Sequence, residues 1–409
     1  MRKPIYLCIT SYFPTPDSWR CAFILDQVKA IQRLSKYRVI VVNTDVDEDY
    51  SCHGVEVIAF KPHRRGLLFY PWIVERSNTK RLVSILQTHG IEVKDIGIVH
   101  THLIPNAYLG NGLKRLNTNI KTIIQFHDAD PYAVLQSEKL NFFGLKRIAY
   151  FKYHRGLAEA ADICVSISKN VSKVVLECPR QNVYTTYEPV KKAQHDLRFC
   201  RSANIKQLIL LHNGVDTAVF NPCGRQKVRM DLFVIGAIGN FRDLKDYMTL
   251  LTALVSIRNR LGEWKLRIIG TGATLSDCKV FIAENGLEQN IEFCDEVLHE
   301  QLPDFYRSLD LFVLPSYFEG FGCVFTEAWS CGTPFITCEG QGMDDMIASQ
   351  DRHLWLCKEK NSDDLASKIL LFYRNRPKQR LCAETNIDVL VSEFLCAVQG
   401  LQERAEYCN

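Results

Sequence analysis

The sequence predicts an α/β protein made of two Rossmann-like units in tandem, and three observations carry that prediction. Short apolar runs alternate with longer amphipathic or polar stretches almost from end to end, the pattern of repeated βα units around a parallel sheet covered on both faces. The 409 residues exceed one ordinary core, since a domain takes roughly 100–200 residues. Near the middle, QLILLHNGVDTAVFNPCG passes from a strand-like run into Asn213-Gly214, a turn needing positive φ, and then into a proline-containing connector. The expected domains are therefore residues 1–213 and 214–409, the second closing with helices.

In chain order the first half gives strands at IYLCIT, YRVIVV, GVEVIAF, IGIVHTH, KTIIQFH and ADICVSIS. The second half repeats the pattern with DLFVIGAIG, KLRIIGTG, NIEFC, DLFVLPS, PFITC and HLWLC. Residues 179–206 show no clear period and read as an insertion, while the last stretch of the chain is helical in pattern. Hydrophobic residues at 47% and charged residues at 23% match an average folded domain and exclude a disordered or low-complexity chain. A net charge of +4 is too small to argue for a nucleic-acid partner. The sixteen cysteines are scattered without a C-x-x-C, and Cys8, Cys164, Cys294, Cys323 and Cys396 lie in apolar runs, so they are expected to be reduced and to act as small hydrophobes. The opening run MRKPIYLCITSYFP breaks at Tyr12-Phe13-Pro14 before it reaches the form of a signal segment, and no window approaches the ~20 apolar residues of a membrane span. The expected location is cytoplasmic.

Ligands of open α/β sheets bind beyond the carboxyl ends of the strands. Three strand ends in the second half carry suitable residues. One is Gly236-x-x-Gly239-Asn240-Phe241-Arg242-Asp243-Leu244-Lys245, with two cations; another is Gly270-Thr271-Gly272, leading into a helix near Leu275. The third is PSYFEGFGCVFTEAWSCGTP, residues 315–334, where Gly320 and Gly322 would let backbone amides approach an anion at a helix starting near Cys323. Lys245 and Arg242 would complete a diphosphate site. Glu327, one turn into that helix, is too close to phosphate to favour it, because like charges a few ångströms apart repel by ~1–4 kcal/mol. Its carboxylate suits the two hydroxyls of a ribose, and Glu319 would reach the other side of the anion, where a sugar would hang.

PSYFEGFGCVFTEAWSCGTPFI resembles the Glu-x7-Glu signature of retaining glycosyltransferases of family 4 (glycosyl transferases group 1), which have the GT-B fold: two Rossmann-like domains facing a cleft, with C-terminal helices. HNGVDTAVFNP is similar to that family's interdomain strand and linker, IGNFRDLKDY to its phosphate-binding loop, and IVHTH, QFHDADPY and ADICVSISKN to its first-domain strand ends. The resemblance implies that Glu327 holds the donor ribose and Glu319 contacts the donor sugar. It implies too that the amides of Phe321, Gly322 and Cys323 cradle the diphosphate and that Lys245 neutralises it, with Gly239, Asn240, Arg242 and Gly272 around the donor. His127 would line the cleft at the donor sugar. Asp130, His102 and Asp17 fall on the acceptor side. The sequence departs from the family at Asn240, where arginine is frequent, at Asp128, where glycine follows the histidine, and at Arg20-Cys21 in the first loop.

The implied reaction moves a sugar from a nucleoside diphosphate donor, UDP- or GDP-linked, to a hydroxyl of a glycan or lipid-linked acceptor. Configuration would be retained by a front-face mechanism, in surface polysaccharide or lipid-linked glycan biosynthesis, with domain closure excluding water. No cofactor or metal is called for. The competing reading takes Asp128-Ala129-Asp130 or Asp45-Val46-Asp47 as a DxD triplet holding a divalent cation. His100 and His102, two apart on one strand face, lack a third ligand and read as strand-end packing or cleft lining. Two further alternatives are a GT-B nucleotide-sugar epimerase and a catalytically silent sugar-nucleotide binding protein. HRRGLLFYPW and NFFGLKRIAYFKYHR, at residues 63–72 and 141–155, set basic beside aromatic residues; the preferred reading is a core-facing helix with a solvated basic face, with peripheral contact with the inner face of a membrane as the alternative.

Overall fold

Every strand-like run of the sequence contains a strand in the computed structural model, which describes residues 3–16, 18, 21–63, 71–128, 142–177, 187–224 and 231–407, although in HLWLC only Leu356-Cys357 is strand and the residues before it are helical. The chain divides into two units, one of Met1–Val183, Glu188–Gly214 and Ile387–Asn409, the other of Tyr184–Tyr187 and Val215–Asn386.

The first unit runs β1 (Ile5–Thr10), α1 (Ala22–Leu34), β2 (Arg38–Asn43), β3 (Tyr50–Cys52), β4 (Val55–Ala59), α2 (Pro71–Thr88), β5 (Ile96–His102), α3 (Ala107–Leu116), β6 (Lys121–Phe126), α4 (Leu145–Ala160), β7 (Ile163–Ser166), α5 (Lys169–Leu176), α6 (Glu188–Leu197) and β8 (Leu208–Leu210). Its sheet has the order β3-β4-β2-β1-β5-β6-β7-β8. β1 is buried along its whole length, as a central strand covered on both faces must be. Only β3 runs antiparallel, and the sequence reading missed it. It pairs with β4 through His53 and Gly54, both at positive φ, in a two-residue hairpin whose strand is too short to show a period.

The stretch read as an aperiodic insertion holds a helix. α6 buries Val190, Ala193 and Leu197, at spacings of three and four, while its other positions are mostly charged or polar. Buried Arg147 on α4 fixes it, with Nε 2.9 Å from Asp196 and a bond to the Pro189 carbonyl. The helical turns are too few and the polar excess too large for the period to stand out.

The second unit comprises β9 (Leu232–Ile238), α7 (Tyr247–Ile257), β10 (Glu263–Ile269), α8 (Leu275–Glu284), β11 (Ile291–Cys294), α9 (Leu302–Arg307), β12 (Leu311–Val313), α10 (Cys323–Ser330), β13 (Phe335–Cys338), α11 (Arg352–Trp355), β14 (Leu356–Cys357) and α12 (Ser362–Asn375). Its sheet is parallel, in the order β11-β10-β9-β12-β13-β14. Strand order reverses at β9, with β10 on one side and β12 on the other. That switch point is where loops diverge and leave room for a ligand.

The last helix, α13 (Ile387–Tyr407), packs on α1 and belongs to the first unit, although its sequence position groups it with residues 214–409. Ile387, Leu390, Val391, Phe394, Leu395 and Val398 form a buried stripe at helical spacing, joining the core around Tyr6, Cys8, Ile24 and Val28. All cysteines among the described residues are free thiols. Cys8 and Cys164 are buried, Cys294 and Cys323 half-buried, and Cys396 is exposed, because it falls on the solvent face of α13. No helix of the described residues is long and apolar enough to cross a membrane.

Candidate active site

The three strand ends singled out in the sequence converge at the switch point of the second unit. Beyond β9, the aromatic ring of Phe241 stacks on Tyr247 with centroids 4.0 Å apart, and the Tyr247 hydroxyl donates to the Gly239 carbonyl. The loop after β10 lies against this turn, with the Phe241 amide donating to Thr271. A Cβ at Gly272 would come 2.5 Å from the Phe241 carbonyl oxygen, so the glycine there is required by backbone packing within the loops themselves. Asn240 and Arg242 are exposed on the same turn.

Beyond β12, the chain turns back to this loop, and the Tyr317 amide donates to the Leu244 carbonyl. That link sets Glu319 beside Lys245, and the two form an ion pair, each side chain 18% exposed. Gly322 caps α10 in the left-handed region at φ 87, where a side chain would also strike the Phe325 ring. Cys323 opens the helix.

The sequence reading missed what holds this turn. After β13, buried Gln341 accepts the Glu319 amide on its Oε1 at 2.9 Å and donates from Nε2 to Glu359 at 2.7 Å. The Gly342 amide donates to the Glu319 carbonyl. A Cβ at Gly342 would lie 2.2 Å from the Gly320 oxygen and 2.4 Å from the Phe321 Cα, so only glycine allows the two backbones to meet. The available signal was the pair of glycines around Gln341 directly after a strand.

Glu327 lies one turn into α10 and is only 8% exposed. The Tyr306 hydroxyl on α9 donates to its Oε2 at 2.7 Å, and His299 Nε2 stands 3.4 Å from Oε1. Burial first, and then the Glu327 charge, raise the Tyr306 pKa well above the usual phenol range, so it stays a donor. Neither Tyr306 nor His299 was read as a site residue, since both sit in polar surroundings far from the glutamate signature in sequence.

In the first unit, β5 and β6 end in a histidine stack. The His100 and His102 rings lie 4.4 Å apart, His102 Nδ1 is 2.9 Å from His127 Nε2, and the Tyr6 hydroxyl bonds His100 Nδ1 at 2.6 Å. Burial holds all three imidazoles far below the ordinary histidine range, His100 and His127 at about 3, so the stack is neutral. His102 is buried beneath His127, which is partly exposed. Asp17 and Asp130 lie outside the described residues, as do the second half of the Asp128 triplet and most of residues 63–72. Asp47 pairs with Lys61, and among the described residues no group of three or more His, Cys, Asp or Glu side chains is arranged to hold a metal ion.

Residues 225–388 match the model of the family described as glycosyl transferases group 1. Over 204 residues, 47% of this chain and 45% of the relative, the sequence is 29% identical to the D-inositol 3-phosphate glycosyltransferase of Rhodococcus erythropolis. Over 190 residues, 43% of this chain and 53% of the relative, it is 27% identical to the lipopolysaccharide core biosynthesis mannosyltransferase LpsB of Rhizobium meliloti. These matches span about half the length of each relative. Among solved structures, sucrose-phosphate synthase from Thermosynechococcus elongatus superposes with a TM-score of 0.67 at 17% identity, covering 100% of both chains. The Anabaena protein HepE, in complex with UDP and glucose, gives 0.62 at 15% identity, covering 100% of this chain and 99% of that one. The two largely parallel α/β sheets and these superpositions define a GT-B fold. Through residues 225–388 the chain is similar to the glycosyl transferases group 1.

Proposed function

We propose that the protein is a glycosyltransferase of the retaining family 4 type, a transferase of the EC 2.4 class that moves a sugar from a UDP- or GDP-linked donor to a hydroxyl of a glycan or lipid-linked acceptor. The observation that carries this reading is the joining of Lys245 and Glu319 at the β9–β12 switch point, with Glu327 buried on the next helix. A diphosphate seated at the N-terminus of α10 would meet the amides of Phe321, Gly322 and Cys323 and roughly half a positive charge from the helix. Lys245 would turn from Glu319 toward the departing phosphate, where a fixed cation lowers the barrier to leaving-group loss. Glu319, released from the ion pair, would face the sugar. The leaving oxygen takes the proton of the acceptor hydroxyl on the same face, which retains configuration.

The names of similar proteins support the substrate class: HepE was solved with UDP and glucose, and LpsB is named for lipopolysaccharide core biosynthesis. The test is a panel of UDP- and GDP-sugars assayed for thermal stabilisation and, with the stabilising donor, for transfer. Lys245→Ala is expected to lower turnover by about a hundredfold, and NMR of the donor incubated alone should show no epimer. An epimer formed without acceptor, or affinity with neither transfer nor donor hydrolysis, would overturn the reading.

We further propose peripheral contact with an anionic membrane through the start of α4. Arg147 of that segment is buried against Asp196, and Phe151 and His154 are buried too, so most of it serves the core. Phe143 is 83% exposed and Leu145 60%, with Lys146 beside them. Vesicles containing anionic lipid should retain the protein in sedimentation, and Phe143→Ser should weaken retention severalfold; equal retention on neutral vesicles would count against it.

A further inference from the structure

Glu327 is held more closely than its place near the helix start requires. An ionised carboxylate accepts hydrogen bonds in about four lone-pair directions. Tyr306 occupies one on Oε2 and His299 faces one on Oε1, which among the described residues leaves one on each oxygen. Tyr306 is itself closely packed. It is fully buried, its ring meets Phe312 edge-on at 5.7 Å, and its carbonyl accepts from Thr333 at 2.7 Å. His299 is braced by the Phe220 ring, 5.0 Å away.

We infer that Tyr306, supported by His299, is a positioning residue that fixes the carboxylate plane of Glu327 and thereby makes the donor site select ribonucleotides over 2′-deoxyribonucleotides. The inference rests on the reading of Glu327 as the ribose ligand. Two acceptor directions fixed in one plane match the two adjacent hydroxyls of a ribose. A carboxylate free to rotate about its side chain would still bind a hydroxyl but would lose geometric discrimination between one hydroxyl and two. A buried acceptor built for a hydroxyl is left unpaired when that hydroxyl is missing, and the resulting penalty is the selectivity.

The experiment measures Kd by calorimetry for UDP and 2′-deoxy-UDP, and for GDP and 2′-deoxy-GDP, on the wild-type protein and on Tyr306→Phe, His299→Gln and Glu327→Ala. The wild type should prefer the ribose form of its nucleotide by roughly ten- to hundredfold, the worth of a hydrogen bond to a charged group. Glu327→Ala should bring the ratio to about one, and Tyr306→Phe should cut it by at least about threefold, His299→Gln acting in the same direction. The ratio is read on one preparation, so a lowered folded fraction does not alter it, and melting temperatures taken alongside separate loss of packing from loss of selectivity. A wild-type ratio in Glu327→Ala, no ratio in the wild type, or binding of neither nucleotide overturns the ribose reading and the inference together. A collapsed ratio in Glu327→Ala with an unchanged one in Tyr306→Phe, whatever His299→Gln shows, leaves the ribose reading standing and overturns the role of Tyr306.

Discussion

His100 illustrates how a single residue couples the site to stability. Its ring is buried, neutral and bonded to Tyr6, and its pKa lies at about 3 against 6.5 in an open chain. Below pH 6.5 the unfolded chain takes up a proton there that the folded chain refuses until near pH 3, so the folded state loses stability as pH falls through that window. Each such group adds at most about 1.4 kcal/mol per pH unit to the slope. His100→Gln should therefore flatten the fall in unfolding free energy between pH 6 and pH 4, measured by urea titration at each pH; an unchanged slope would show that His100 is protonated in the fold. The histidines were visible in IVHTH, but the stack was not, because it forms only when β5 pairs with β6 and the chain just past β6 sets His127 against His102. The same limit hid Tyr306: the Glu-x7-Glu spacing shows the acid, whereas its donor comes from another helix.

At the level of elements, the turn from Glu319 to Gly322 is held by the loop after β13. Gln341 and Gly342 bind both backbone groups of Glu319, and Gly342 admits no side chain at its contact with Gly320 and Phe321. Gly342→Ala should force the two backbones apart, lowering stability by about 1–3 kcal/mol. A displacement of about 1 Å at Glu319 would lower turnover by roughly a hundredfold. Thermal melting and donor-dependent transfer check both; full turnover in a destabilised variant would show that the turn keeps its position unaided. The strand ends were legible because apolar runs stopping at glycine are a local signal. The buttress was not, since its meaning lies in a contact with residues 22 positions away. The structure also shifts the weight of Gly272, whose glycine is required by the Phe241 backbone before any ligand is considered.

Across the whole molecule, the alternating pattern sufficed for the parallel strands of both sheets but not for antiparallel β3, and the partner of the last helix was beyond its reach. Amphipathic periodicity shows that α13 has an apolar stripe and says nothing of which core receives it. The answer is the first unit, where Phe394 also packs 5.8 Å from the His100 ring. Six buried apolar side chains of α13, at about 1.5–3 kcal/mol each, contribute roughly 9 kcal/mol or more, comparable to the 5–15 kcal/mol that separates folded from unfolded domains. Truncation before Ile387 should therefore unfold the first unit, although every strand of its sheet lies upstream. The comparison is between the truncated chain and a full-length Leu390→Ala, Phe394→Ala variant, followed by hydrogen exchange at β1 and β5. Loss of protection on those strands is expected in the truncated chain, with an intermediate loss in the double variant. Retained protection on truncation would show that the sheet and α1 close their core without the helix, and that α13 contributes little to the stability of the first unit.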